Sequence, residues 1–393
     1  MKKHYYLFVL LIAFLSSCEQ ENFNPNDSFL KIYDDKDYNA EYFPVGIGQS
    51  DSMLFVLAER SLTSSDFAGI KIIKTNAKGD FIEETELEEQ FVAPTPDLQK
   101  IGNTHYFFCM DKNTLSPYLV AIDAQGNLST SPTGISNSYP LAVSVSNQNE
   151  LILLSYDQEA KNSVISLINT AGQVTNTADY SIGAGNEVLE PIISHFTEKD
   201  KRLPFFCGQS PDQKFFFNAF YNYTLSTVFT DLGDEPTGVL QGQADDAGLK
   251  SLLPVAADNF AFLAFQFDDT YASSSTTINT SAISSSINLL DRKLPEVKKG
   301  STTKIISHNY AGQEQIIMAA ETEGRQVVLY FYQASNGELI NTYFLGTLNP
   351  FTFSDISSLE DGSLLIVGTT FLADRFERVF IQKIGKEQLG DIL

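Results

Sequence analysis

Histidine is the residue that most often binds metals or moves protons, yet none here stands at a spacing typical of such a site. Besides His4 near the start, His105, His195 and His308 lie far apart along the chain, whereas histidine pairs in zinc motifs usually stand a few residues apart. Motifs for nucleophile elbows, zinc proteases, phosphate-binding loops and calcium-binding loops are also missing from the sequence. We interpret the histidines as core or surface residues and predict no catalytic, cofactor-binding or metal-binding residue.

Carboxylates are abundant, with 49 Asp and Glu against 26 Lys and Arg. Two or three that converge could hydrolyse a glycosidic bond, and the sequence leaves such a set open. Asp34, Asp35, Asp37 and the pair Asp268 and Asp269 could contribute oxygens to Ca²⁺, but no glycine-punctuated ligand spacing accompanies them. We interpret them as solvated charge. The net charge of −23 disfavours nucleic acid as a partner, because a surface of that sign repels phosphates.

Two apolar features could bind ligands but are explained by packing. Cys109 and Cys207 each lie in an apolar run far from the other, which favours buried free thiols over a disulfide. Residues 205–223 contain eight Phe and Tyr, which either pack between sheets or form a platform for sugar rings. We favour packing.

The N-terminus predicts export. Lys2 and Lys3 precede an apolar stretch, residues 5–15, that is too short to span a bilayer. The following Leu15-Ser16-Ser17-Cys18 resembles a bacterial lipobox, in which the lipoprotein signal peptidase cuts before the cysteine. The resemblance implies a lipoprotein signal peptide at residues 1–17, lipid attachment at Cys18 and a flexible tether at residues 18–27. The alternative is an ordinary signal peptide with a chance cysteine.

Two further short motifs concern the cell surface. Glu19 and Glu21 resemble the export signal that sends lipoproteins of the Bacteroidota to the outside of the outer membrane. Asp51-Ser52-Met53 resembles the O-glycosylation signal of the same bacteria, which makes Ser52 a possible glycosylation site.

The clearest structural unit is residues 355–385. The turn around Asp361 and Gly362 supplies the left-handed backbone of a hairpin, and the apolar run 364–367 is too continuous for a strand with one wet face. A third strand follows at 378–384. Such a small antiparallel sheet cannot bury both faces alone, so it needs neighbours.

Similar units recur about every fifty residues. Gly79, Gly126, Gly172 and Gly337 occupy the same turn in several of them, where a positive φ is needed. The most apolar strands are residues 53–58, 106–110, 151–156, 203–207, 260–267, 315–320 and 364–368.

This repeat predicts an all-β fold, a β-propeller with seven blades of four antiparallel strands, in a single domain at residues 28–393. Residues 28–33 form a spare strand, which we expect to pair with the last strand and close the ring. We expect residues 268–286, rich in Ser and Thr, to be a long loop or outer hairpin of the fifth blade. Two β-sandwiches are the alternative, but no linker divides the chain.

Phe29, Lys31 and Tyr33, followed by a strand and the glycine turn KTNAKGD, resemble the β-propeller lipoproteins of the Bacteroidota. The resemblance covers nearly the whole mature chain and implies fold and cellular address. Sialidase-like and quinoprotein propellers use recurring tryptophans, and this chain has none.

Two functions remain open. The first is a non-enzymatic, lipid-anchored protein of the outer membrane, facing the cell exterior, that serves as an accessory subunit of a membrane complex or binds an extracellular glycan or protein. The second is a surface hydrolase of polysaccharide. Converging carboxylates at the channel mouth would favour the hydrolase, whereas a shallow or side-chain-filled channel would favour the non-enzymatic protein.

Overall fold

The computed structural model describes residues 28–33, 42–62, 65–136, 138–183, 187–243, 246–346, 349–371 and 377–393. Antiparallel β-strands dominate this part of the chain, as the sequence predicts. Cys18, the proposed tether and Asp34, Asp35 and Asp37 lie outside the described residues. No helix among the described residues is long and apolar enough to cross a membrane.

The first and largest sheet has nine strands. They are β2 (Tyr42–Gln49), β3 (Met53–Arg60), β4 (Gly69–Asn76), β5 (Phe81–Glu86), β6 (Phe91–Val92), β7 (Gln99–Ile101), β8 (Thr104–Asp111), β9 (Pro117–Ile122) and β10 (Leu128–Pro132). The two-residue β6 pairs with both β4 and β8 and thereby joins two sets of four strands, β2 to β5 and β7 to β10.

The next three sheets follow in chain order. One contains β11 (Ser138–Val145), β12 (Leu151–Asp157), β13 (Asn162–Ile168) and β14 (Val174–Ser181). Another contains β15 (Phe206–Gln209), β16 (Phe215–Tyr221), β17 (Thr224–Thr230) and β18 (Gly238–Gln241), to which β22 (Ile283–Ser285) adds in parallel. The third contains β19 (Ala247–Pro254), β20 (Asn259–Gln266), β21 (Asp269–Thr277) and β23 (Arg292–Lys293).

The last two sheets complete the chain. One contains β24 (Thr303–Tyr310), β25 (Gln313–Glu321), β26 (Val327–Gln333) and β27 (Leu339–Leu345). The other contains β28 (Asp355–Ser358), β29 (Leu364–Phe371) and β30 (Glu377–Ile384), with β1 (Phe29–Tyr33) as its fourth strand. β1 and β30 are antiparallel, with Phe29 opposite Lys383 and Tyr33 opposite Val379. The first and last strands of the chain therefore share one sheet, as expected from the sequence.

Each set of four strands is here called a unit, and the first strand of a unit is called its initial strand. The initial strands of neighbouring units contact one another. β11 contacts β7 and β15, β19 contacts β15 and β24, and β28 contacts β24 and β2. The series continues from β7 to β2, because the amide of Asp97, two residues before β7, donates a 2.8 Å hydrogen bond to the Val45 carbonyl. Segments that lead into these initial strands are thus brought together.

The apolar run of β29 is covered on both faces, as predicted. Leu364 and Ile366 belong to a core cluster shared with β25 and β26, whereas Leu365 and Val367 belong to a cluster shared with β2 and β3. Alternate residues of a strand point to opposite faces, so each sheet is packed between two neighbours.

The recurring turn glycines have the predicted backbone conformation. Gly79, Gly126, Gly172 and Gly337 have φ values of 76°, 83°, 85° and 73°. A Cβ on Gly79 would also lie 2.6 Å from the Phe29 ring, so this turn packs directly against β1.

Two strand predictions are wrong. Residues 203–207 are not the central strand of their unit, because β15 begins only at Phe206 and the fully paired, buried strand is β16. Residues 268–286 are neither one long loop nor an outer hairpin. β21 is an inner strand paired with β20, β22 adds in parallel to β18 of the neighbouring sheet, and Ala272 and Ile278 are buried. The hydroxyl groups of β21 form hydrogen bonds at the sheet surface. For example, Ser274 Oγ donates to the Gly337 carbonyl at 2.7 Å.

The sequence also showed no helical period, yet short helices are present. They are α1 (Leu189–Thr197), α2 (Lys386–Ile392) and two 3-10 turns, Lys199–Lys201 and Ser286–Leu289. In α1, Leu189, Ile192, Ile193 and Phe196 recur at helical spacing and pack on the core. Nine residues are too few for that period to stand out beside strand patterns.

Candidate functional site

A cavity of about 730 Å³, here called the central pocket, opens where the lead-in segments of several units meet. Its wall includes Pro94, Pro96 and Asp97 before β7, Ser354 before β28 and Lys304 in β24. Contributions from separate units place it at the mouth of the series of initial strands. Concave sites of this volume are the usual location of small-molecule binding.

Helix α1 and the residues after it form one side of the central pocket. His195 accepts a 2.9 Å hydrogen bond at Nδ1 from the Leu203 amide, which fixes the loop that follows α1. Burial lowers the pKa of His195 to about 3, helped by nearby Arg202. The ring is therefore neutral at physiological pH and serves to hold the wall.

An apolar wall faces the central pocket. Phe205, Phe206, Phe265 and Phe267 line it, and the His195 ring packs edge-on to Phe205 at 4.8 Å between centroids. Phe267 is 63% exposed. The predicted aromatic patch is thus divided: Phe215, Phe216 and Phe217 are core residues, Phe206 lines the pocket, and Phe205 belongs to both.

Asp97 and Lys304 of the pocket wall form a cluster with Asp355, which follows the lining residue Ser354. Lys304 Nζ lies 2.7 Å from Asp97 Oδ1 and also contacts Asp355 Oδ1. The Ile47 amide donates to the other oxygen of Asp355 at 2.9 Å. Burial raises the pKa of Asp355 to about 6, against the opposing effect of Lys304. Burial opposes protonation of Lys304, but Asp355 and Asp97 outweigh it and raise its pKa.

The other lining carboxylates do not converge. Glu59 pairs with Arg202 and Asp268 pairs with Lys299, while Asp269 lies 2.7 Å from Lys293 Nζ. Glu187, Glu190 and Asp200 are exposed. Within the described ranges, no group of three His, Cys, Asp or Glu side chains could hold a metal ion.

Lys250 differs from the other cations of the pocket. Its Nζ donates a 3.0 Å hydrogen bond to Thr270 Oγ1, and among the described residues it has no carboxylate partner. Burial lowers the pKa of Lys250 to about 8. Sequence reasoning missed this residue, because an isolated lysine in a strand carries no motif.

A second, smaller cleft of about 360 Å³ lies between β14 and the β16–β17 turn. Tyr180, Tyr221 and Tyr223 line it together with Asp179 and Asp234. Tyr223 is 54% exposed. Part of the predicted aromatic patch therefore borders a polar surface cleft, although Tyr221 also packs against the core.

The remaining predicted residues lie in separate places. Ser52 is exposed at the turn between β2 and β3, where a glycan would be accommodated. His105 is buried edge-on to Phe55, and His308 Nδ1 lies 2.8 Å from Ser358 Oγ. Neither histidine lines the central pocket. Cys109 and Cys207 are free, the first buried and the second half-buried.

No protein-family model matches the chain, and neither does any curated protein. Among solved structures, an inactive virginiamycin B lyase from Staphylococcus aureus with quinupristin is similar at 11% identity and a TM-score of 0.51, covering 91% of this chain and 99% of the other. The β-propeller domain of the Trilobed protease from Pyrococcus furiosus has 9% identity, coverages of 88% and 95%, and a TM-score of 0.49. A protein of unknown function from Bacteroides caccae has 8% identity, coverages of 84% and 83%, and a TM-score of 0.36.

The fold is a β-propeller. At 11% identity, the likeness to the lyase establishes the architecture alone.

Proposed function

We propose that this protein is a lipid-anchored β-propeller on the outside of the outer membrane that binds an extracellular ligand or a protein partner without catalysing a reaction. The observation that carries this proposal is the central pocket: it is large and partly apolar, but its lining carboxylates are paired with cations or exposed. A pocket with this lining suits binding better than acid–base chemistry.

The propeller is proposed to have seven blades. In this interpretation, β6 links two blades, β2 to β5 and β7 to β10, into the nine-stranded sheet. Each of the other five sheets contains one set of four antiparallel strands. The serial contacts of the initial strands support a ring, with β1 and β30 joining its ends in one blade.

The anchor is proposed at Cys18, after removal of residues 1–17, with residues 18–27 as the tether and Glu19 and Glu21 as the export signal. Cys18→Ala should move the protein from the membrane fraction to the soluble fraction. Persistent membrane association of this variant would place the anchor elsewhere. Loss of external protease sensitivity after substitution of Glu19 and Glu21 would support display on the cell surface.

The binding function is tested by affinity capture from solubilised outer membranes. Wild-type protein should retain a stable partner or glycan that a variant of the exposed pocket rim, Phe267→Asn, retains less. Asn suits this position because Phe267 has a φ of 52°. Equal retention by both proteins would argue against the central pocket as the binding site.

A polysaccharide hydrolase is the second candidate, and Asp97 and Asp355 are the residues that favour it. The raised pKa of Asp355 beside a second carboxylate is the pattern of an acid–base pair. Against it, the Asp355 side chain is only 2% exposed and both carboxylates bind Lys304. Release of reducing ends from surface polysaccharides by wild-type protein, but not by Asp97→Asn, would establish the hydrolase.

A further inference from the structure

Lys250 is the extra residue of a β-bulge in β19. Leu249 lies opposite Ala264 and Ser251 lies opposite Leu263, so Lys250 has no partner on β20. Bulges change the direction of a side chain and are frequent next to binding sites. The bulge directs Lys250 to the wall of the central pocket.

The same bulge occurs in two other initial strands. It falls at Val45 in β2 and at Leu141 in β11, in each case at the fourth residue of an eight-residue strand, as for Lys250 in β19. Val45 and Leu141 are 5% and 1% exposed. The fold therefore accommodates a buried aliphatic side chain at this position. Packing alone does not explain why residue 250 is a lysine.

Among the described cations of the pocket wall, Lys250 is the one without a carboxylate partner. Lys201 pairs with Glu198 at 3.0 Å, and Arg202, Lys299 and Lys304 each contact a carboxylate. In the described part of the chain, Lys250 contacts only a hydroxyl. An ammonium group has three donors, so two remain for a ligand. Placing a cation in a partly buried site without an anion is costly, and an anionic ligand would offset that cost.

The surroundings of Lys250 are apolar on one side. Phe265, close to Lys250 across the β19–β20 pair, lines the pocket with Phe206 and Phe267. Phe267 is the most exposed of the three. An exposed aromatic side chain at a pocket rim offers an apolar surface on which an aromatic ring of a ligand can stack.

We propose that the central pocket binds an amphipathic organic anion. Its carboxylate or sulfonate group accepts hydrogen bonds from Lys250 Nζ, and its ring or other apolar body packs against Phe206, Phe265 and Phe267. This inference rests on the proposed ligand-binding function and adds the chemical class of the ligand.

Two fluorescent probes of nearly the same shape test it: anilinonaphthalene sulfonate, which carries the anion, and phenylnaphthylamine, which lacks it. Both are titrated into the purified protein, and the stoichiometry is measured by calorimetry. Wild-type protein should bind one sulfonate per chain and bind the neutral probe more weakly. Lys250→Met should weaken sulfonate binding about 10-fold or more, as expected for loss of hydrogen bonds to a charged group. It should leave the neutral probe unaffected.

Lys250→Arg should restore most of the sulfonate affinity, and Phe267→Asn should weaken both probes. Folding of Lys250→Met is expected, because Val45 and Leu141 occupy the same position in other strands, and it is checked by thermal melting. Unchanged sulfonate binding in Lys250→Met overturns the inference. If Phe267→Asn still weakens binding of both probes in that case, the proposal that the central pocket binds ligands still stands. If neither probe binds wild-type protein, both the inference and pocket binding fail.

Discussion

At the residue scale, the Asp97–Lys304–Asp355 cluster connects strands of separate sheets. Asp97 precedes β7, Lys304 lies in β24 and Asp355 begins β28, while Ile47 of β2 donates to Asp355. Four initial strands or their lead-ins thus meet at one set of charges. A buried pair of this kind is costly to break, because the partner left behind remains charged and desolvated.

Lys304→Met should therefore lower the free energy of unfolding by about 3 kcal/mol, measured by urea denaturation. Lys31→Met is the matched control. Lys31 forms an exposed pair with Asp80 at 2.9 Å, and such pairs are worth roughly 0 to 1 kcal/mol. Similar losses in the two variants would mean that the cluster does not hold the units together.

Asp355 also predicts a pH dependence. Its pKa in the folded protein is raised to about 6, above the value of an unfolded chain. The folded state therefore holds a proton that the unfolded state releases, and stability should fall as pH rises from about 4 to about 6, by less than about 1.4 kcal/mol per pH unit. Asp355→Asn should remove this component. Parallel stability curves for wild type and variant across that window would contradict the assignment.

At the scale of the element, β1 protects the edge of β30. It also reaches the neighbouring unit, since Lys31 pairs with Asp80 and Tyr33 Oη donates to the Gly79 carbonyl at 2.8 Å. An uncovered strand edge is a template for pairing with other chains.

Deleting residues 28–33 should therefore cause aggregation or non-cooperative unfolding, measured by size-exclusion chromatography and thermal melting. The control is a chain that lacks residues 1–27 but keeps β1, which should be monomeric and cooperative. A deletion variant as stable as this control would show that β1 is dispensable.

At the scale of the whole molecule, charge governs contact with membranes. The full chain has a net charge of −23, and its excess of carboxylates lies in the folded body, which should therefore be repelled by anionic lipid. The chain lacking residues 1–27 should stay in the supernatant when sedimented with anionic vesicles at low salt, and a lipidated chain should pellet with them. Binding of the unlipidated chain would reveal a membrane-seeking surface on the propeller.

Elements with a strong local signal were predictable. The glycine turns need a positive φ that few other residues adopt, and the run in β29 is too apolar to be wet on either face. β21 was not predicted, because a sequence rich in Ser and Thr is typical of a loop. The hydrogen-bond partners that accommodate these side chains in a strand lie on other strands and are not visible in the local sequence. Helix α1 was not predicted either, because an apolar pattern over only nine residues fits a strand as well as a helix.

By itself, the amino-acid sequence determined the all-β class, the repeating unit and the pairing of the first strand with the last, since periodicity, turn residues and unmet strand edges are local properties. Only the tertiary structure decided which side chains come together in the central pocket. Lys250, Lys304 and Phe267 lie in different strands and turns, and no spacing in the chain relates them. They share the central pocket because the lead-in segments of several units converge at one end of the propeller.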